Sequence, residues 1–385
     1  MSEADARAAT TAAGAAVAPR AVRVALDAMG GDNAPGQIVR GGVEAAREQD
    51  VGVLLVGPEA TLRAELTHYD TAGLDLTIVH ADQVIGMDEH PAEAVRAKRR
   101  NSMTIALEQV RDGKAVAAVS AGNSGAMLAA SLFTLRRIPG IERPALAGVF
   151  PAAGGRRTMV LDIGANTDSK PAYLVQFALM GSIYMEQVFG VANPRVGLLA
   201  NGEEETKGDQ LVREAHMLLK AVARSAGVNF IGNVEGRDVN AGTVDVVVCD
   251  GFVGNVVLKL AEGLSRMLQD TIKAAIKANP LTAVGGLLTL PAFARVRKTF
   301  DYEEYGGVPL LGLNGVSVVS HGRSGPKAIK SAIRVACQAA AANVPQLIAE
   351  GMARIAAQAA TTTPAPAAPV AGAAPDASGG SGAGD

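Results

Sequence analysis

Short runs of consecutive apolar residues alternate with segments of helical period along most of the chain. Most of these runs are continuous, which is typical of strands that are covered on both faces. The longer segments at 34–49 and 169–190 carry apolar residues at helical spacing. This alternation predicts an α/β fold, with a mostly parallel sheet flanked by helices. The predicted strands cover residues 22–29, 51–57, 76–81, 115–121, 158–164, 195–200 and 244–250.

Small and polar residues crowd directly after five of the predicted strands. One such loop is ordinary turn chemistry. Ligands of open α/β sheets lie beyond the carboxyl ends of the strands, so five similar loops are better explained by one shared polar cleft. We therefore expect the five strand ends to converge on one edge of the sheet. The loops cover residues 27–35, 120–126, 164–166, 201–208 and 250–255.

The two ends of the chain differ from the region between them. Residues 1–20 are rich in alanine, and residues 361–385 consist mainly of Ala, Pro, Gly, Ser and Thr. Neither segment can bury enough apolar surface to offset the entropy of ordering, so both are predicted to be disordered. Residues 21–350 are predicted to form one α/β domain, with two subdomains around a cleft and a helical tip at about 256–302.

The tip combines apolar and basic residues in a way that suits a membrane interface. An amphipathic helical pattern covers 256–278, and Pro280 and Pro291 argue against one continuous helix. The apolar part is too interrupted to span a bilayer, but its basic flanks suit anionic headgroups. The alternative is that the tip packs in a dimer interface. The apolar candidates are Leu281, Val284, Leu287, Leu288, Leu290 and Phe293, and the basic flanks are Lys273, Lys277, Arg295, Arg297 and Lys298.

Composition and charge narrow the functional classes. Apolar residues make up 48% of the 385 residues and charged residues 19%, which is ordinary for a globular protein. A net charge of −2, an aromatic content of 3% and the lack of Trp argue against nucleic acid as a partner. The N-terminus does not resemble a signal peptide, and no run of about eighteen apolar residues occurs. We therefore expect a cytoplasmic protein.

No residue pattern indicates a covalent nucleophile or a metal site. The fingerprints Gly-x-x-x-x-Gly-Lys-Ser/Thr, Gly-x-Gly-x-x-Gly and Gly-x-Ser-x-Gly do not occur. Cys249 and Cys337 lack the ligand spacing of a metal site and are expected to be buried free thiols. The carboxylate of Asp250 would oppose thiolate formation at Cys249, so Cys249 is assigned to packing.

The segment 120–125 precedes an apolar helical run and fits a helix start that cradles phosphate. Glycine lets backbone N–H groups approach an anion, and a helix N-terminus adds unpaired donors and partial positive charge. For this loop alone, a plain turn capped by Ser or Asn is the alternative. An anion cleft without a covalent nucleophile suits direct displacement, in which bound phosphate attacks and the protein stabilises the oxyanion.

Four motifs resemble those of the bacterial acyl-(acyl-carrier-protein)–phosphate acyltransferases. They are DAMGGDNAP at 27–35, SAGNSGA at 120–126, VVCDGFVGN at 247–255, and YGGVPLLGLNG at 305–315 with His321-Gly322 following. The resemblance, which runs from about residue 21 to about residue 350, implies an acyl-carrier-protein thioester as donor, phosphate as acceptor, no metal or organic cofactor, and a homodimer. It also implies a fold similar to phosphotransacetylases and isopropylmalate dehydrogenases. Acyl phosphate would feed phospholipid synthesis, with peripheral membrane contact and a downstream membrane acyltransferase as a candidate partner.

The candidate site residues come from these motifs and from the strand-end loops. The predicted catalytic residues are His321, which would protonate the leaving thiolate, Lys207, which would supply positive charge, and Asn166, which would contact phosphate or the thioester oxygen. Asp27 and Asp32 are expected to orient loops, because a carboxylate repels a phosphate dianion. The predicted substrate-binding residues are Asp27, Gly30, Gly31, Asp32, Ser120, Gly122, Asn123, Ser124, Asp250, Gly251, Asn255 and Asn314.

Three positions depart from the pattern of the resembling family. Ser124 stands where Thr is expected, which keeps the hydroxyl, and Val308 stands where Ala is common. Ala200 stands where relatives often carry Asn. Any role that the family gives to that side chain therefore has no counterpart here.

Three other functions stay open on the sequence. The nearest is a phosphotransacetylase-like enzyme that uses acyl-coenzyme A. The basic residues Arg96, Lys98, Arg99 and Arg100 favour an acidic carrier protein as donor, and they are its predicted docking surface. A decarboxylating dehydrogenase would need carboxylates that hold a metal, whereas the acidic residues at 203–205 resemble a solvated run. A non-enzymatic carrier-protein adaptor would not need the polar cleft.

Overall fold

The computed structural model describes the backbone of residues 22–300 and 306–362, and the side chains of 22–292 and 306–358. The predicted disordered tails, 1–20 and 361–385, lie outside the described residues, apart from the last two residues of the final helix.

Eleven strands form one sheet in the described part of the chain. The seven predicted strands are confirmed as β1 (Arg23–Asp27), β2 (Gly52–Gly57), β3 (Leu76–His80), β4 (Ala117–Ser120), β6 (Arg156–Leu161), β7 (Arg195–Leu199) and β9 (Val246–Val248). The apolar pattern does not predict β5 (Ala145–Ala152), β8 (Asn229–Val234), β10 (Val308–Leu311) or β11 (Val316–Val319). Three of these four strands contain a residue that strands disfavour, namely Pro151, Pro309 or Gly232. Proline lacks an N–H for the ladder, and glycine has no side chain to pack.

The strand order is β3-β2-β1-β4-β11-β10-β5-β6-β9-β7-β8. Strands β1, β2, β3, β4 and β11 run parallel to one another, as do β6, β7, β8 and β9. Between these halves, β10 is antiparallel to β11 and β5, and β5 is antiparallel to β6. The mostly parallel sheet confirms the fold class. The expectation that five strand ends share one edge is wrong, because the antiparallel pairs reverse the direction of the second half.

The strand ends still meet, because the two halves are staggered. Ser120 at the end of β4 pairs with Val319 at the end of β11, and Val319 pairs with Val308 at the start of β10. From the other direction, β6 ends at Leu161, which pairs with Ala147 of β5. Since β5 pairs with β10 through Leu310 and Leu311, the ends of β4, β11 and β6 lie at nearly the same level of the sheet.

Helices cover both faces of the sheet. Side chains of β1 alternate between two apolar clusters. Leu26 belongs to one of them, together with Ile38 and Ile329, and Ala25 belongs to the other, together with Leu107. Burial on both faces explains why the strands read as continuous apolar runs. The helices are α1 (Gly36–Glu48), α2 (Glu59–Leu66), α3 (Pro91–Ala97), α4 (Ser102–Arg111), α5 (Ser124–Thr134), α6 (Pro171–Phe189), α7 (Gln210–Ala226), α8 (Asp238–Ala241), α9 (Gly251–Lys277), α10 (Pro280–Phe300), α11 (Pro326–Ala341) and α12 (Val344–Thr362).

Helices α9 and α10 form the segment predicted as a tip. The predicted break at Pro280 is confirmed, whereas Pro291 lies inside α10. Leu281 and Leu288 are 82% and 78% exposed, and the side chain of Phe293 lies outside the described residues. No helix within the described ranges is both long enough and apolar enough to cross a membrane.

Candidate functional site

A cleft opens where the two halves of the sheet meet. Its inner part has a volume of about 330 Å³ and its outer part about 550 Å³. Both parts are lined by Val149, Phe150, Leu258, Glu262 and His321. The inner part is also lined by Ser124, Gly164 and Asn255. Segments that follow β4, β6, β9 and β11 therefore border one cavity, although the strands run in two directions.

Asp27 holds the loop after β1 against the loop after β4. Its buried carboxylate accepts the Ser120 hydroxyl at 2.7 Å and the Met29 N–H at 3.2 Å. The Ser120 hydroxyl also accepts the Gly122 N–H at 3.0 Å. Burial raises the pKa of Asp27, and the hydrogen bonds that it accepts oppose this increase. These contacts agree with the expectation that Asp27 orients loops.

Two glycines let the loop after β1 approach the loops after β4 and β11 closely. A Cβ atom on Gly30 would lie 2.6 Å from the Asp27 carboxylate and 2.8 Å from the Ser120 hydroxyl. Gly31 has a φ of 106°, which disfavours any residue with a side chain. The neighbouring Asp32 N–H donates to the Gly322 carbonyl at 2.8 Å. The loop after β11 is thereby joined to the loop after β1.

Helix α5 begins at the cleft with Asn123 as its N-cap. The side-chain oxygen of Asn123 accepts the Ala126 N–H at 3.1 Å, and its amide donates to the carbonyls of Met87 and Glu89, both at 3.1 Å. These bonds occupy the amide, so the geometry gives no support to the predicted contact between Asn123 and phosphate. Ser124 follows and lines the cavity. The first N–H groups of a helix have no intrahelical acceptor and attract anions.

Asp162, which the sequence reasoning missed, organises the loop after β6. One oxygen accepts the N–H groups of Leu146, Gly164 and Ala165 at 3.0–3.1 Å. The other accepts the Asn166 N–H at 2.7 Å and its side-chain amide at 2.9 Å. Burial raises the pKa of Asp162, and the hydrogen bonds from Ala165, Leu146 and Asn166 oppose the increase. The available signal was an acid directly after an apolar run, in a loop that contains glycine.

Asn166 links this loop to the start of α9. Its amide donates to Asp162 and to the Pro144 carbonyl at 2.8 Å, and its own carbonyl accepts the Gly251 N–H at 2.8 Å. A Cβ on Gly251 would lie 2.5 Å from that carbonyl oxygen. Asp250 caps α9 by accepting two N–H groups at 2.9 and 3.0 Å. The structure therefore gives Asn166, Asp250 and Gly251 positioning contacts.

His321 and Asn255 bring polar side chains to the cavity. The Nδ1 atom of His321 accepts the Arg323 N–H at 3.2 Å, which leaves the proton of the neutral ring on Nε2. Asn255 borders Gly164 at the cavity. Together with Ser124, these residues are the predicted polar groups that the structure brings together. In the described part of the chain, no three His, Cys, Asp or Glu side chains are grouped to hold a metal ion.

Two predicted residues lie elsewhere. Lys207 follows β7, which β9 separates from β6, and it lines neither part of the cleft. Asn314 lies in the turn between β10 and β11, and its amide donates to the Arg137 carbonyl at 2.8 Å. This turn is at the opposite end of those strands from Val308 and Val319. The hairpin therefore places Asn314 away from the cavity, and the structure gives no support to the role predicted for Lys207.

The basic segment after α3 is partly neutralised. Lys98 is ion-paired to a neighbouring acid at 2.6 Å and Arg100 to another at 3.3 Å. Arg96 lies 5.6 Å from the centre of the exposed Phe133 ring. Among the described residues, no carboxylate pairs with Arg96 or Arg99. These two arginines are therefore the stronger part of the predicted docking surface.

Cys249 is confirmed as a buried free thiol, whereas Cys337 is only half-buried. Burial and the carboxylates of Asp250 and Asp162 raise the pKa of Cys249 well above its usual value. Because the thiolate is the nucleophilic form, Cys249→Ser is expected to retain most of the parental kcat in a steady-state assay. Abolished turnover in a folded variant, with an acyl-enzyme trapped in the parent, would overturn direct displacement.

Known proteins resemble this chain over most of its length. A family model described as "Fatty acid synthesis protein" matches residues 22–347. A protein named Phosphate acyltransferase from Trichlorobacter lovleyi is 53% identical over 329 residues, covering 86% of this chain and 94% of the relative. Another of that name, from Pelotomaculum thermopropionicum, is 52% identical over 315 residues, covering 82% and 90%.

Two solved structures share the fold. A phosphotransacetylase from Streptococcus pyogenes has a TM-score of 0.59 at 16% identity, and EutD phosphotransacetylase from Staphylococcus aureus has 0.55 at 15%. Each comparison covers 83% of this chain and 94% of the solved one. At this identity the likeness concerns the fold alone. The family match and the relatives that are more than half identical carry the stronger conclusion, and the chain belongs to the phosphate acyltransferase family.

Proposed function

We propose that this protein transfers a fatty acyl group from an acyl-carrier-protein thioester to inorganic phosphate, giving acyl phosphate for phospholipid synthesis. The observation that carries the proposal is the start of α5 at the cleft, where Ser124 and unpaired helix N–H groups lie at the same cavity as Asn255 and His321. Family membership supports acyl transfer to phosphate. The carrier-protein donor is the finer part of the proposal.

Phosphate would bind at the start of α5. The partial positive charge of the helix end favours the dianion, and the first N–H groups and the Ser124 hydroxyl donate to its oxygens. Helix α11 also begins at this cavity, since Ser324 and Ala328 line it. The buried carboxylate of Asp27 already accepts loop donors, which keeps its charge directed at the protein rather than at the anion.

The reaction balances without an acyl-enzyme. A phosphate oxygen attacks the thioester carbon, a C–O bond forms, and the C–S bond breaks. Monohydrogen phosphate loses one proton, and the leaving thiolate gains one. His321 would take up the proton that phosphate loses, pass one proton from Nε2 to sulfur, and so return to the neutral ring. The Asn255 amide would donate to the developing oxyanion.

The donor distinguishes this proposal from an enzyme that uses acyl-coenzyme A. Arg96 and Arg99 offer unpaired positive charge to an acidic carrier protein, and exposed charges of this kind act mainly on association. The assay is release of carrier thiol from a fatty acyl carrier thioester, with and without phosphate. Phosphate-dependent release without added metal or nucleotide supports the proposal, and release that does not depend on phosphate contradicts it.

We also propose a homodimer that works in the cytoplasm at the membrane surface. Apolar residues of α9 repeat at helical spacing and stay exposed, and a second copy of the chain would cover them. This stripe consists of Val253, Val256, Leu260, Leu264 and Met267, which are 38–60% exposed. Burying such a row removes apolar surface from water.

The exposed residues of α10 are proposed as the membrane contact. The double change Leu287→Glu with Leu288→Glu is expected to abolish sedimentation with vesicles that contain phosphatidylglycerol, because charge opposes burial in the interface. Activity in solution and dimer mass should stay at parental values. The matched control is Met217→Glu with Leu218→Glu, an exposed apolar pair on α7. Unchanged vesicle binding by the α10 variant would dismiss this contact, and dissociation to monomers would assign α10 to the dimer interface.

A further inference from the structure

The outer part of the cleft extends away from the phosphate site along α9. One wall consists of α9 side chains, including Leu258, Ala261 and Ser265. The opposite wall is the outer half of β5, residues 149–151. His321 lines both parts, so a ligand in the outer part would have one end at the predicted proton donor.

The outer half of β5 offers the main-chain groups of Val149 to a ligand, whereas Pro151 has no N–H and its carbonyl accepts the Asn240 amide at 2.7 Å. Leu310 of β10 pairs with Leu146, which places the start of β10 at the level of Gly148. Beyond that level, β5 pairs with β6 on one side, and no strand among the described residues pairs with its other side. An open strand edge binds extended chains that contain amides. A purely apolar chain would leave these groups without partners.

Two arginines lie where this groove reaches solvent. Arg266 and Arg323 line the outer part and are exposed. No described carboxylate pairs with either guanidinium. Glu262, which lines the same groove, is ion-paired to Lys259 at 3.0 Å. The two arginines therefore leave the outer groove with a net positive charge, which suits a phosphate group.

We infer that the outer groove binds the phosphopantetheine arm of the carrier protein, with an amide at Val149 on the β5 edge and its phosphate at Arg266 and Arg323. The inference rests on the proposed function, because it needs a thioester donor. The arm has roughly thirteen bonds between sulfur and phosphorus, equivalent to about four extended residues or about 15 Å. From Asn255 to Arg266, α9 rises about 16 Å at about 1.5 Å per residue. The lengths agree.

The test uses two soluble donors that differ only in the phosphate, acyl-phosphopantetheine and acyl-pantetheine. Arg266→Ala with Arg323→Ala is expected to raise KM for the phosphorylated donor roughly tenfold, since charge-assisted hydrogen bonds are lost. KM for acyl-pantetheine and for inorganic phosphate should stay unchanged. Arg266→Lys with Arg323→Lys should restore part of the difference. Arg224, an exposed residue of α7, provides the control for loss of positive charge as Arg224→Ala.

Acyl-coenzyme A and the carrier thioester distinguish the two sources of the arm. Charge reversal at Arg96 and Arg99 should raise KM for the carrier thioester and not for acyl-coenzyme A, whereas the Arg266 and Arg323 variant should weaken both. Equal effects of the latter variant on acyl-phosphopantetheine and acyl-pantetheine, or no effect on either, would overturn the assignment. A parental protein that forms no acyl phosphate from any of these thioesters would contradict the proposed function itself.

Discussion

Replacing His321 by asparagine is expected to lower kcat about a hundredfold to ten-thousandfold, the range typical of a lost general acid or base. Asparagine keeps an acceptor for the Arg323 N–H, so the hydrogen bond within the loop after β11 can persist. It does not exchange a proton near neutral pH. The measurement is kcat at saturating phosphate with a thioester of an alkyl thiol.

The leaving group provides the control for this prediction. A thioester of an aromatic thiol gives a stable thiolate that leaves without a proton. The His321→Asn variant should therefore lose much less activity with that donor. An equal loss with both thioesters would make His321 a positioning residue rather than the proton donor.

Replacing Asp162 by alanine is expected to cost on the order of 3–5 kcal/mol of the free energy of unfolding, because buried N–H groups lose their acceptor. Five donors converge on this carboxylate from Leu146, Gly164, Ala165 and Asn166. Chemical denaturation measures the loss. Asp168→Ala is the matched control, since this aspartate is exposed in the same loop, and it should change stability little.

The variant Asp162→Asn removes the negative charge but keeps nearly the same side-chain shape. One side-chain oxygen stays as an acceptor, but an amide replaces the oxygen that faces the N–H and side chain of Asn166. We expect Asp162→Asn to fold, with reduced stability and reduced kcat. An alanine variant as stable as the Asp168→Ala control would show that the loop after β6 does not depend on this carboxylate.

Apart from the partly exposed edge strand β3, the strands that the sequence predicts correctly are mainly buried on both faces. Residues such as Leu26 and Ala25 of β1 are buried on opposite faces, so the whole strand must be apolar. β5 and β10 are missed because Pro151 and Pro309 interrupt their apolar pattern. Those two strands make the antiparallel pairs that reverse the sheet. Because β5 and β10 were not predicted, the predicted arrangement of the strand ends was also wrong.

The candidate site could likewise be predicted only in part from the sequence. Loop composition identified the segments that follow β4, β6 and β9, and the family resemblance added His321 after β11. All four segments border the cleft. It could not separate a side chain at the cavity, such as Ser124, from an adjacent one held by internal hydrogen bonds, such as Asn123. Lys207 was placed at the site because strand order is not visible in the sequence. Asp162 was missed because its role depends on Leu146, a long-range contact.

The most direct test of the central claim is the identity of the product. The full-length protein is incubated with a fatty acyl carrier thioester and inorganic phosphate, without added metal or nucleotide, and hydroxylamine traps any acyl phosphate as acyl hydroxamate. We predict hydroxamate in proportion to free carrier thiol, with none formed when phosphate is omitted. Free fatty acid as the product, or hydroxamate that forms equally without phosphate, would contradict phosphate as the acyl acceptor.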